Sequence, residues 1–244
     1  MLEKSNAIVI EALAQGLFSG AQLSVSDNRG RIFSAAYGKT SFTAEAATVN
    51  ENSLFDLASL TKPLATAAAC ALLADAGEIN LDNPLCRFFA RYKGSGRENV
   101  TLKMLLNHTS GLPAWKPFYE QLPGTDFDAN RGRLLEMLLD EPLENPPETI
   151  ETYSDPGFML LAYAVEKITQ MRLDAFVEKE FFSKLGIYGI LYRPLNSRTD
   201  SENRIVHSRS EDRRINDDNA AAVGGVCGHA GLYRTAAAVE SVLW

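Results

Sequence analysis

Pro63 sits just ahead of the most apolar run in this chain, residues 64–74, and it dictates where a helix has to begin. Inside a helix, proline removes a backbone hydrogen bond and clashes with the preceding turn. In the first turn both costs vanish. The spacing therefore predicts a helix over about 60–76, starting close to Ser59 and stopping at Gly77, where a glycine cap fits. The apolar run is far too short to span a bilayer, which takes about 20 residues.

Fixing that start gives Ser59-Leu60-Thr61-Lys62 a geometry. A spacing of three puts the serine hydroxyl and the lysine amine on one face, a single turn apart. Serine is a weak nucleophile at neutral pH and needs a base beside it. A lysine serves as one when burial and nearby positive charge favour its neutral form. The helix start adds backbone N–H groups without intrahelical partners, near which negative charge is stabilised. Taken alone, a Ser-x-x-Lys tetrapeptide is weak evidence: most are ordinary helix surface, with the serine as N-cap.

The 244 residues are enough for one large domain or two lobes with a substantial core. The net charge of −7 speaks against nucleic acid as a partner. Three widely spaced cysteines (Cys70, Cys86, Cys227) read as free core thiols and not as a disulfide framework or zinc site. Three histidines (His108, His207, His229) form no metal-ligand spacing, so neither a metal nor a cofactor is expected. The N-terminus has no uninterrupted apolar core and no small-residue cleavage site; it reads as an amphipathic helix over 3–15. A cytoplasmic protein is the simplest expectation; periplasmic or extracellular placement would follow if a signal peptide had been removed.

Along the rest of the chain, residues 20–25 alternate like a strand, Asp27-Asn28-Arg29-Gly30 is a turn, and 31–37 return. Thr101 is the expected N-cap of a short helix ending before His108. Helical periodicity covers 129–140, 156–170 and 173–184. Residues 193–218 read as a polar surface loop, with 200–214 a solvated charged face. Glycines cluster at Gly224, Gly225, Gly228 and Gly231, and a last helix is expected near Thr235. A lone hairpin is marginal in water, so more strands are expected than this pattern displays. Trp244 falls only about two turns into the last helix, and the expectation is that material is missing there.

Four segments in order then resemble the serine β-lactamase and penicillin-binding-protein superfamily on its class C side. They are Phe55-Asp-Leu-Ala-Ser-Leu-Thr-Lys62; Leu105-Leu-Asn-His-Thr-Ser-Gly-Leu-Pro113; Tyr153-Ser-Asp-Pro-Gly-Phe-Met-Leu-Leu161; and Asp217-Asp-Asn-Ala with Gly224-Gly-Val-Cys-Gly-His-Ala-Gly-Leu232. The resemblance implies Ser59 as the nucleophile of an acyl-enzyme, with its backbone N–H giving half of the oxyanion hole. It implies Lys62 as the group that helps deprotonate Ser59, and Tyr153 as the second-motif tyrosine sharing that proton transfer. Tyr153 also reads as a plain core tyrosine.

Two departures stand out. The family commonly has Tyr-x-Asn where this chain has Asp155, and a carboxylate accepts hydrogen bonds but cannot donate one to a substrate carbonyl. Asp155 also brings negative charge to Lys62, which favours its charged form and weakens it as a base. Asp155 reads either as a substrate contact or as the cap of a helix starting at Pro156. The family's third motif, Lys-Thr-Gly or His-x-Gly, lies on a C-terminal strand. His229-Ala-Gly231 has the letters but leads through Leu232-Tyr-Arg-Thr235 into a helix, so it is read as a middle segment lining the rim of the site. About 100 further residues are expected after it. His229 and Gly231 remain candidates for substrate binding. His108 reads as a turn histidine bonded to backbone, and His207 as solvated.

The implied fold is α/β (α+β), β-lactamase/transpeptidase-like, with a helical lobe, an antiparallel-sheet lobe and an incomplete sheet. Residues 1–244 form one domain: 1–40 open the sheet lobe, 60–190 are mainly helical, and 191–244 hold the loop, the glycine-rich segment and a helix start. The implied activity is serine acyl hydrolysis of β-lactams, D-amino-acid peptides or small esters, at a cleft between the lobes. A non-turnover penicillin-binding sensor stays open beside it. So does an inactive fragment whose exposed sheet edge pairs with another chain. The expected partner is a small acyl substrate, with no nucleic acid and no membrane span.

Overall fold

The computed structural model describes residues 2–187, 191–192, 204–207 and 215–242. The expected polar loop and charged face at 193–203 and 208–214 lie outside these. The chain opens with α1 (Leu2–Ala14), then the hairpin β1 (Gly20–Asp27) and β2 (Gly30–Gly38). Gly20 pairs with Gly38 and Asp27 with Gly30, and the register slips once, between Val25 and Ser26. Helix and hairpin fall where the sequence places them.

The helix predicted from Ser59 forms, but not as a regular α-helix. A 3-10 turn (Ala58–Leu60) leads into a wide π-helical turn (Lys62–Ala67), and only then α2 (Ala68–Asp75). Pro63 stands in the first positions of the wide turn, where its missing N–H leaves no intrahelical bond unmade. Such π insertions in helices are frequent at functional sites. The stop is as expected, with Gly77 at φ +73.

At the centre of the helical part lies α5 (Asp155–Thr169), with Phe158, Met159, Leu160, Leu161, Ala164 and Val165 all buried. α3 (Leu102–Leu106), α4 (Phe127–Asp140), α6 (Leu173–Val177) and the π turn pack against it. Thr101 caps α3 as predicted, accepting from the Met104 N–H at 3.2 Å. The cap of α5 differs from expectation. Ser154 Oγ accepts from the Gly157 N–H (3.1 Å) and donates to the Pro113 carbonyl (2.7 Å), which leaves the Asp155 carboxylate free to point elsewhere.

A second correction concerns residues 232–235. They do not run straight into a helix; Leu232–Arg234 is strand β5, followed by α8 (Ala236–Ser241) capped by Thr235. β5 is the middle strand of a small antiparallel sheet, between β3 (Phe55–Asp56) and β4 (Leu191–Tyr192). Three residues are too few to show alternation. Among the described residues no helix is long and apolar enough to cross a membrane.

The glycine-rich segment leading to β5 lies flat on α5. A Cβ at Gly228 would stand 2.1 Å from the Phe158 carbonyl oxygen and 2.7 Å from Ala162 Cβ. Gly132, exposed on α4, has nothing within 4 Å of the same position. Gly228→Ala should therefore destabilise by about 2 kcal/mol or more, whereas Gly132→Ala should stabilise by about 0.5–1 kcal/mol. Urea unfolding of both variants checks the opposite signs.

Candidate active site

Ser59 is exposed, in a turn that the backbone does not adopt without help. Ala58 has φ +46, which costs a non-glycine residue on the order of 1–2 kcal/mol. Asp56 holds it: Oδ1 accepts the Ala58 N–H at 2.8 Å, and Oδ2 accepts the Asn216 N–H at 3.0 Å. Behind the turn, the Leu57 N–H donates to the Leu232 carbonyl (2.8 Å) and the Leu232 N–H donates to Thr61 Oγ1 (3.2 Å). Thr66 Oγ1 donates to the Gly228 carbonyl at 2.7 Å. The Ser59 turn is thus clamped to the segment ending in β5.

Lys62 is buried, with only 2% of its surface exposed, and its ammonium has its neighbours arranged around it. Nζ lies 3.1 Å from Ser59 Oγ and 2.6 Å from Asp155 Oδ1. It lies over the rings of Tyr153 (4.6 Å) and Phe158 (5.9 Å). Tyr153 is half exposed, so it is no core tyrosine, and its ring rests on His108 at 4.5 Å. His108, at φ +63, accepts the Ser154 N–H on Nδ1 at 3.0 Å. Burial, with the nearby Lys62 charge, lowers the His108 pKa, in keeping with an acceptor imidazole. The structural role read for His108 holds.

His229 and Gly231 are not on the rim. His229 is 1% exposed, with Nε2 2.9 Å from Asp217 Oδ1. Gly231 is buried at φ +107, and a Cβ there would stand 2.1 Å from the Gly225 carbonyl oxygen. Its glycine is required by the backbone itself. Burial alone would lower the His229 pKa; the neighbouring Cys227 sulfur and Asp217 carboxylate outweigh it and hold it up at about 10. Burial would raise Asp217, but hydrogen bonding and charge from His229, the Ala220 N–H and the Lys62 charge keep it below its ordinary value.

Sequence reasoning assigned no role to Asp217, Asp56 or Thr61. The cap Asp217 makes on α7 (Asp218–Ala222) could have been read from local spacing; its contact with His229 could not. A mostly apolar cleft of about 770 Å³ flanks the turn, lined by Phe55, Leu57, Leu60, Leu23, Val239 and the buried Arg234.

The family model described as Beta-lactamase matches residues 6–243. The chain belongs to the β-lactamase family. Among curated relatives of this β-lactamase-family chain, the "Putative D-alanyl-D-alanine carboxypeptidase" of Escherichia coli O157:H7 is 28% identical over 223 residues, covering 81% of this chain and 51% of that protein. The chain thus spans about half the length of the curated relatives it matches. Among solved structures, the β-lactamase/D-alanine carboxypeptidase from Yersinia pestis superposes with TM-score 0.72 at 23% identity, over 95% of this chain and 64% of its own. A class C β-lactamase from Rhodobacter sphaeroides gives 0.75 at 20%, over 98% and 63%. The octameric penicillin-binding protein homologue from Pyrococcus abyssi gives 0.76 at 18%, over 99% and 55%. The α/β fold is that of these proteins, with helices dominant and small antiparallel sheets.

The His229 shift has a consequence for stability. Its folded pKa of about 10 lies above the unfolded value of about 6.5. The stabilisation is therefore complete below pH 6.5 and lost as pH rises through 10. Urea unfolding midpoints should fall across that window in the native chain, and fall less in His229→Gln.

Proposed function

We propose that this site performs serine acyl transfer: Ser59 forms an acyl-enzyme that water then hydrolyses. The observation that carries the reading is the 3.1 Å contact between Lys62 Nζ and Ser59 Oγ, with the amine sealed from water and the hydroxyl open to it. With Lys62 neutral, the Ser59 proton passes to Nζ as Oγ attacks the substrate carbonyl carbon. Charge developing on the carbonyl oxygen is met by the Ser59 backbone N–H. As the tetrahedral intermediate collapses, the proton goes to the leaving amine or alkoxide. Tyr153, stacked above Nζ, is the second group of that transfer path. Substrates are β-lactams, D-alanyl peptides or small esters, which share this intermediate. The names of the relatives support the first two.

One observation favours a second reading, in which acylation occurs but turnover is slow. The Asp155 carboxylate sits 2.6 Å from Nζ, so in this arrangement the amine is engaged as an ammonium ion. Such a protein would act as a β-lactam- or peptide-binding sensor.

Intact-mass measurement after incubation with a reactive penicillin, and separately with an activated ester, tests both. An adduct should form with the native chain and be absent from Ser59→Ala. Lys62→Gln should slow its formation by about 100-fold or more. Decay of the adduct within minutes marks a hydrolase, and persistence for hours marks the sensor. A folded native chain that neither reagent labels would rule out acyl transfer by this chain.

A further inference from the structure

Beside Lys62, side chains from three separate segments converge. Asp155 comes from the first turn of α5, Asp217 from the cap of α7, and His229 from the glycine-rich segment. One ligand-type atom from each lies within 4.8 Å of the other two. Asp155 Oδ1 is 2.6 Å from Lys62 Nζ, and Asp217 Oδ1 is 2.9 Å from His229 Nε2. Two carboxylates so close repel strongly unless cations stand between or beside them. The chain supplies both cations itself: the amine of Lys62 at 2.6 Å from Asp155, and the imidazole of His229, whose charged form is favoured by the Asp217 carboxylate at 2.9 Å. The titratable groups facing His229 are Asp217, Asp155 and Cys227, with the Lys62 charge beyond Asp155.

We propose that Asp217 and His229 form a positioning and counter-charge pair for Asp155, which shares the second-motif carboxylate between two cations and so keeps it from binding Lys62 alone. This rests on the reading of Ser59 and Lys62 given above. An aspartate at this position puts a negative charge against the base, which would otherwise hold it as an ammonium. The imidazolium offsets that charge. Asp217 in turn fixes the imidazole, through a carboxylate anchored by the Ala220 N–H at 2.7 Å. His229 and Asp217 touch no reacting atom; they act through Asp155.

The test is the pH dependence of Ser59 acylation by an activated ester, read by intact mass from pH 5 to 11. In His229→Gln the midpoint at which acylation switches on should move up by about one pH unit or more. Asp217→Asn keeps the α7 cap but removes a carboxylate that also attracts the Lys62 charge, so its midpoint should move up less than that of His229→Gln. Asp155→Asn should move the midpoint down. Adding His229→Gln to Asp155→Asn should give no further upward shift, because the carboxylate it offsets is gone. Variants that are slower by the same factor at every pH, with an unmoved midpoint, would reduce the pair to ordinary packing and overturn the proposal. A second readout needs no acylation: the His229 imidazole titration followed by nitrogen NMR. Asp155→Asn should lower that midpoint by about one unit, and an unchanged midpoint overturns the proposal. If His229 responds but the native chain is never acylated, the charge pair stands and the acyl-transfer reading fails.

Discussion

A lysine amine is buried at the centre of this structure, and much around it is explained by what that requires. Moving an ammonium out of water costs several kcal/mol even after the surroundings relax. Lys62 recovers that cost from a carboxylate at 2.6 Å, a hydroxyl at 3.1 Å and two aromatic rings. Those partners come from the 3-10 turn holding Ser59 and from the start of α5. The irregular π turn at Lys62–Ala67 and the strained Ala58 are the backbone's share of the arrangement.

The clamp behind the nucleophile is mostly backbone. Leu57, Thr61 and Thr66 bond to residues 228–232, and that segment lies on α5 only because Gly228 lacks a side chain. The same helix supplies Asp155 and Phe158 to Lys62. One helix therefore aligns the lysine's counter-ion in one direction and the floor beneath the serine in the other. A displacement of the glycine-rich segment would disturb both.

Features that depend on near neighbours in sequence could be read from the chain. The hairpin around Gly30, the start forced by Pro63, the stop at Gly77 and the Thr101 cap are all local. Ser59 and Lys62 are three residues apart, so their contact follows from helix geometry. The misreadings share one cause. Asp155 looked like the cap because capping residues are common one place before a helix proline, yet Ser154 next to it had the backbone geometry and a carbonyl to bond. β5 was missed because its partners lie far off in sequence, Phe55 and Asp56 about 180 residues away and Leu191 and Tyr192 about 40, and each strand is too short to show alternation. His229 reads as a rim residue because the residues after Gly231 resemble a middle segment leading into a helix; the glycines around it let the chain pass close to α5, which buries the imidazole against Asp217. Pairings set by tertiary contact leave no periodic trace.

The bond between Tyr233 and Asp56 joins positions 177 apart in sequence, and the pairing of β3 with β5 closes a loop of similar size. During synthesis the serine and lysine emerge long before Leu232–Arg234. The helices beyond them can form from local contacts as they appear. The turn that aims Ser59 cannot be locked until the chain through Arg234 has left the ribosome, because Leu232 is its backing. The order of events is thus helical core first and nucleophile last, with loop-closure entropy slowing the final step. At the ribosome's pace of about 5–20 residues per second, a reactive serine would spend roughly ten to thirty-five seconds as a harmless one. A fold that backs its nucleophile with a strand far along the chain delays that chemistry until the strand has been made.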